Sequence, residues 1–380
     1  MFRLDDELYA FIVRPDALEV WKHEEVRRRL SWYYSVMRGE KPPKYMIVKT
    51  IPIPDDIGDL SALDLESLYA LHGELRKEFL SRWNKVREGG ESLKDYPSVK
   101  KSFLDLKVEM VYRLLSPCRL CEHRCMVERL KGRRGVCGLD SIVRVSSAFL
   151  HLGEESPLVP SGTIFFTGCS LRCVFCQNWD ISRDPFGGVA TDGESLARIA
   201  VNLASRGARN INYVGGNPDQ NMHVIIESLK YMNIKTPLLW NSNFYMTRES
   251  MDLLLDLIDI WLPDFKYGND ECGFKLSRVK NYFEVVSRNH KAAYDFGDDI
   301  IIRHLVLPGH LDCCTKKILD WIAENMPRAM VNIMDQYRPE YMVLKQPDRF
   351  KEISRRLRHG EIKDAFRYAE EKGICYKYVS

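Results

Sequence analysis

From about Gly162 to Met334 short apolar segments alternate with amphipathic ones, and this alternation restricts the fold of the chain more than any other feature. Strands that alternate with helices pair in parallel, with the helices laid over the sheet. Six segments read as strands: Thr163-Ile164-Phe165-Phe166, Asn210-Ile211-Asn212-Tyr213-Val214, Leu238-Leu239-Trp240, Ile258-Asp259-Ile260-Trp261-Leu262, Ile300-Ile301-Ile302-Arg303-His304-Leu305-Val306 and Met330-Val331-Asn332-Ile333-Met334. Thr191-Asp192-Gly193-Glu194 reads as a capping box before a helix with Leu196, Ile199 and Leu203 on one face. A second helix runs through Val224, Ile225 and Leu229, and Thr247 opens a third. Six β-α units predict an α/β fold, an open, partial (βα)6 TIM-like barrel. Ligand chemistry in such sheets collects at the carboxyl ends of the strands.

Four divisions follow along the chain. Residues 1–110 read as a helical N-terminal extension, with Leu68, Leu71, Leu75 and Phe79 at helical spacing and a second run through Phe103, Leu106, Met110 and Leu114. Residues 87–92 between them read as a turn. Residues 111–145 hold a four-cysteine knot, 146–345 the barrel, and 346–380 a C-terminal helical segment. No apolar run approaches the roughly 18 residues of a membrane span. The N-terminus carries an acidic pair, Asp5-Asp6, where an export signal would be basic, so the expectation is a cytoplasmic protein. A net charge of +3 over 380 residues gives no reason to expect a nucleic-acid partner, and no membrane association is expected.

Eleven cysteines in such a chain stay reduced and suit metal ligation better than disulfides. Seven fall between Cys118 and Cys176. Cys169-Ser-Leu-Arg-Cys173-Val-Phe-Cys176 follows the first barrel strand. Thiolates suit iron–sulfur clusters, and four saturate a [4Fe-4S] cubane. Three leave one iron open to an outside ligand, as a catalytic metal keeps an open position. Zinc and a redox disulfide are the alternatives. The upstream set, Cys118-x2-Cys121-x3-Cys125-x11-Cys137, offers four thiolates to zinc, to iron or to a second iron–sulfur cluster. It encloses Glu128-Arg129-Leu130-Lys131-Gly132-Arg133-Arg134-Gly135, which reads as a basic, flexible loop, and His123, which reads as an exposed bystander. Cys272, Cys313, Cys314 and Cys375 are scattered and read as small buried hydrophobes.

Thr167-Gly168-Cys169 through Cys176-Gln177-Asn178, with Ile181-Ser182 after it, resembles the radical S-adenosylmethionine (SAM) superfamily. Pro263-Asp264-Phe265-Lys266-Tyr267, Arg303-His304-Leu305-Val306-Leu307-Pro308-Gly309, Met334-Asp335-Gln336-Tyr337 and the upstream knot extend the resemblance to proteins similar to pyruvate formate-lyase activating enzymes. It covers about residues 116–345. The resemblance implies a [4Fe-4S] cluster on Cys169, Cys173 and Cys176 whose open iron takes SAM's amino and carboxylate groups. It also implies an external electron donor of flavodoxin or ferredoxin type. Phe175 stands where that superfamily places an aromatic against adenine. Gly215-Gly216-Asn217 resembles the turn that receives SAM's amino group, although Asn217 replaces a frequent acidic residue. Asp264 and Lys266 match a pair that reaches the ribose and carboxylate. Of Arg303 and His304 one must face the barrel interior: Arg303 suits a carboxylate, and His304 suits a buried, satisfied role. The activity implied is reductive SAM cleavage followed by hydrogen abstraction, with a glycine of a protein substrate as target. Radical modification of another peptide residue or a small molecule, and a non-catalytic iron–sulfur or zinc scaffold, are the rivals.

Overall fold

A computed structural model describes residues 11–96 and 99–380. The reading of residues 1–10, the basis of the export-signal argument, lies outside the described residues.

Six strands pair in parallel, in the order their segments follow one another: β2 (Ser161–Phe166), β4 (Asn210–Gly215), β5 (Leu238–Trp240), β6 (Ile260–Trp261), β7 (Asp299–Leu305) and β8 (Met330–Met334). This is the open (βα)6 barrel that the alternation predicts. Two further strands extend its β2 edge. β1 (Arg144–His151) runs antiparallel to β2, and β3 (Val189–Ala190) antiparallel to β1. Sequence reasoning missed both, because β1 alternates only weakly and faces partly outward while β3 has two residues.

β6 is shorter than its apolar run of five. The Asp259 carboxylate takes over the pairing at its start, accepting from the Leu238 N–H at 2.8 Å, the Trp32 indole at 2.8 Å and the Lys44 N–H at 2.9 Å. The helix after β2 begins one residue later than the box Thr191 to Glu194 implies. Asp192 is its N-cap and accepts from Ser195 N at 2.8 Å, a stronger capping residue than threonine.

The N-terminal helices form part of the barrel's outer layer. The main ones are α1 (Lys44–Val48), α2 (Leu65–Glu88) and α3 (Phe103–Leu115). α2 starts on Asp64, which accepts from Ser67 N, and ends at Gly89 with φ 81°. Its buried stripe is the predicted one, continued by Trp83 and Val86. α3 runs past residue 110 and lies on helices α5 (Met222–Ser228) and α6 (Arg248–Leu255), which follow α4 (Gly193–Ser205). Buried ion pairs lock this layer. Lys107 Nζ lies 2.6 Å from Asp256 Oδ2 and 2.9 Å from His72 Nε2, while Arg76 reaches Asp256 Oδ1 at 3.0 Å. Burial pushes the Asp256 carboxyl up, but Lys107 and Arg76 outweigh it and hold Asp256 at about 2. Removing one partner of such a group typically costs 3–5 kcal/mol, so layer and barrel fold as one unit.

Past β6 come α7 (Asp270–Ser277) and α8 (Tyr282–Phe296), and past β7 comes α9 (Lys316–Asn325). The C-terminal segment adds α10 (His359–Glu371) and returns to the β8 edge, where Val331 N donates to Cys375 O at 2.9 Å. Among the described residues no helix is long and apolar enough to cross a membrane.

Candidate functional site

The cysteine loop leaves the carboxyl end of β2 through Gly168. Its φ of 76° suits glycine, and a Cβ there would sit 2.6 Å from the Leu139 side chain. The loop then presents Cys169, Cys173 and Cys176 to a cavity of about 250 Å³ at the carboxyl ends of β4 to β8. Each thiol meets one polar side chain. Asn243 Nδ2 donates to Cys169 Sγ (3.5 Å), Ser277 Oγ to Cys173 Sγ (2.9 Å), and Cys176 Sγ lies 3.4 Å from Ser182 Oγ. Burial pushes the Cys169 thiol up to about 12, and burial likewise raises Cys173 against the opposing charge of Lys266.

The remaining walls hold every other residue singled out from the sequence. Phe175 is buried edge-on to Tyr267 and Tyr337, with centroids 6.5 and 5.9 Å away. Gly215 and Gly216 are required by the protein's own packing. A Cβ on Gly215 would lie 2.2 Å from Phe166 N, and one on Gly216 2.2 Å from Gly168 O. Asn217 is buried and structural in its contacts, accepting from Asn243 N at 3.1 Å and donating to Gln220 at 3.0 Å. Asp264 and Lys266 lie on one side of the extended backbone after β6 and form an ion pair of 2.5 Å at the cavity wall. Burial works against the Lys266 charge, but Asp264 and the cysteines raise its pKa on balance.

Arg303 faces inward and lines the cavity, yet its charge is already met. Its guanidinium bonds both oxygens of Glu155 at 2.7 and 2.9 Å, Glu154 Oε2, and Asn241 Oδ1 at 3.4 Å. His304 faces the helices, with Phe265 O at 2.8 Å and Thr315 Oγ1 at 2.9 Å on its two nitrogens. Glu154 and Glu155 come from the loop between β1 and β2. They also take Asn212 of β4 (3.0 Å) and Asn332 of β8 (2.7 Å), so this loop fills the barrel interior. Sequence reasoning missed both glutamates, since nothing local marks a loop that turns inward. It also missed Asn241, Ser242 and Asn243, which directly follow a strand and were open to the strand-end rule.

The upstream knot seats its four cysteines beside this site. Cys118 N donates to Val127 O at 2.9 Å, Met126 N returns to Cys118 O at 3.0 Å, and Gly135 leaves room for Cys125 and Cys137, whose sulfurs would lie 2.8 and 3.8 Å from a Cβ there. Two expectations are corrected. His123 is half-buried and bonds Ser170 O of the cluster loop at 2.9 Å, joining knot to loop. Arg129 is fully buried rather than part of a solvated basic loop, with its guanidinium on Asp140 O and Gln220 O, both at 2.9 Å. A third correction concerns the scattered cysteines. Cys272, Cys313 and Cys314 converge with His310, and their donor atoms all lie within 4.8 Å of one another. Cys375 stays apart beside β8.

Three buried thiols held neutral by their surroundings need a cation to ionise, and the amide and hydroxyls aimed at them suit thiolate. They face a cavity with room for a ligand on the open side. The residues present thus fit an iron–sulfur cluster with one open iron.

Residues 163–322 match the Radical SAM superfamily, and the chain belongs to that superfamily. Membership implies a [4Fe-4S] cluster and SAM. More narrowly, it shares a family with an uncharacterized protein of Methanocaldococcus jannaschii, 42% identical over 356 residues that cover 92% of this chain and 99% of the relative. Among solved structures, Streptococcus suis SuiB aligns with a TM-score of 0.40 at 15% identity, over 57% of this chain and 47% of SuiB. SuiB bound to S-adenosylmethionine aligns at 0.41 and 16%, over 55% and 47%. The chain spans about half the length of these structures.

Proposed function

We propose that the protein cleaves SAM reductively and uses the product for hydrogen abstraction from a substrate protein, a glycine of the backbone being the target. When bound, the cluster passes one electron to SAM, giving methionine and a 5'-deoxyadenosyl radical that becomes 5'-deoxyadenosine on taking a hydrogen atom. The observation that carries this reading is the single cavity in which three thiols meet the Asp264–Lys266 pair and the Gly215-Gly216 turn.

Cys169, Cys173 and Cys176 hold the cluster on three sides. Asn243, Ser277 and Ser182 steady the sulfurs and lower the cost of negative charge on them. Asp264 suits ribose hydroxyls as an acceptor, and Lys266 suits a carboxylate. Phe175 gives an adenine ring an apolar edge. Arg303, saturated by Glu154 and Glu155, holds the floor of the cavity, a role distinct from the carboxylate ligand that the resemblance implies. An external donor of flavodoxin or ferredoxin type supplies the electron, and the Cys118–Cys137 knot is a candidate for a second centre on its route.

The test is anaerobic reconstitution with iron and sulfide, then SAM and dithionite, with 5'-deoxyadenosine as readout. Wild-type protein releases it; Cys173→Ala, with two thiolates left, does not. Equal release by Cys173→Ala overturns the assignment. Deuterium arriving in 5'-deoxyadenosine from an α-deuterated glycine protein supports the activase reading, whereas transfer from a small molecule favours the rival.

A further inference from the structure

We infer that Cys272, His310, Cys313 and Cys314 form a closed site for a single zinc-type divalent ion, separate from both cysteine sets above. Cys272 lies in the first turn of α7, His310 in the loop after β7, and Cys313-Cys314 in the wide turn of residues 311–315 that leads into α9. Two loops at the carboxyl face of the barrel therefore meet here.

The distances carry the assignment. Cys272 Sγ lies 3.9 Å from Cys313 Sγ, which lies 3.8 Å from Cys314 Sγ. His310 Nδ1 lies 3.6, 3.3 and 3.9 Å from the sulfurs of Cys272, Cys313 and Cys314. A tetrahedral zinc with sulfur at about 2.3 Å and nitrogen at about 2.0–2.1 Å sets its donors about 3.8 Å apart between sulfurs and about 3.5 Å from sulfur to nitrogen. The side chains already describe that tetrahedron. The same spacing excludes an iron–sulfur cubane, whose outer thiolates stand much further apart around a larger body. Among the described residues, only this group brings three or more metal-ligating atoms so close together.

Donor chemistry points the same way. Three thiolates and an imidazole match zinc in both softness and number, and four protein donors leave no open position, so the site is structural. Its surroundings are pre-set. Asn269 accepts from Cys272 N at 2.8 Å and donates to Cys313 O at 2.8 Å, clamping the two loops together. A Cβ on Gly268 would lie 2.7 Å from Cys314 O, so the backbones touch. The ion's effect reaches the catalytic side through α7, which ends at Ser277, the donor to Cys173 Sγ. It would pin the helix that steadies one cluster ligand.

The test uses full-length wild-type protein, prepared anaerobically with zinc and alkylated with iodoacetamide before and after treatment with a zinc chelator. Peptide mass mapping reads each cysteine separately. Cys272, Cys313 and Cys314 are expected to be protected with zinc and to label together after chelation, while Cys375 labels alike in both. Equal labelling with and without chelator, or a disulfide among the three in the anaerobic protein, overturns the proposal. In a second measurement, Cys313→Ser/Cys314→Ser should lose one zinc per chain with iron content unchanged. His310→Cys should keep the zinc and replace its nitrogen neighbour with sulfur in X-ray absorption. Folded double variant with wild-type zinc content also overturns it. Neither readout depends on SAM cleavage, so failure here leaves the proposed activity standing, and the reverse.

Discussion

Replacing Arg303 by methionine separates two roles for this residue, a ligand for SAM and the counter-charge of a buried loop. In the structure Arg303 neutralises Glu154 and Glu155, both almost fully buried inside the barrel. Burial alone would raise the Glu154 carboxyl, but Arg303 and then His151 hold it at about 2, against an ordinary value of 4.5. That gap corresponds to about 3 kcal/mol, in line with the 3–5 kcal/mol lost when one partner of a buried pair is removed. Because the folded-state value is depressed, this stability is fully present above pH 4.5 and is lost as the pH falls toward 2. Arg303→Met should therefore lower the denaturant stability at pH 7 by about 3 kcal/mol, a fall in Tm of roughly 5 °C. The deficit should shrink at about pH 4, where the stranded glutamates take up protons. Adding Glu154→Gln and Glu155→Gln to the variant should restore much of the loss, because amides need no counter-charge. A wild-type unfolding midpoint in Arg303→Met, or no recovery in the triple variant, would refute the network. Were SAM affinity to stay low in the recovered triple variant, Arg303 would be shown to contact SAM as well.

Asp264→Ala and Lys266→Ala should each weaken SAM binding by calorimetry while iron content stays at the wild-type level, since neither residue holds a cluster ligand. Unchanged affinity in both would make the pair structural. Gly216→Ala should cost about 1–3 kcal/mol and reduce retained iron, because its Cβ falls 2.2 Å from Gly168 O, next to Cys169; a variant with wild-type Tm and iron would contradict the packing. Replacing Cys118 and Cys121 by alanine should remove one metal centre and lower stability, yet leave a paramagnetic signal from the Cys169 cluster that still responds to SAM. Loss of that response in folded protein would mean that the upstream thiols serve the catalytic cluster.

Much of this architecture was open to reading along the chain. Periodicity in apolar residues depends on neighbours one to four places away, so the six parallel strands and the buried stripe of α2 could be found without knowing what they pack against. Cys169, Cys173 and Cys176 announce themselves for the same reason, as their ligands lie within eight consecutive residues. Asp264 and Lys266 are two residues apart at a strand end. What the tertiary structure decided is whatever depends on residues distant in sequence. Arg303 looked like a free cation until the loop carrying Glu154 and Glu155, some 150 residues earlier, turned into the barrel to meet it. Cys272 is separated from Cys313 and Cys314 by a whole β-α unit, and each alone resembles a small buried hydrophobe. Only the closure of the barrel brings α7 beside the turn before α9, and a metal site exists only where its donors meet. Local pattern sets the elements because it acts through the chain itself, whereas counter-charges and ligand sets arise from folding, when burial forces each polar group to find a partner.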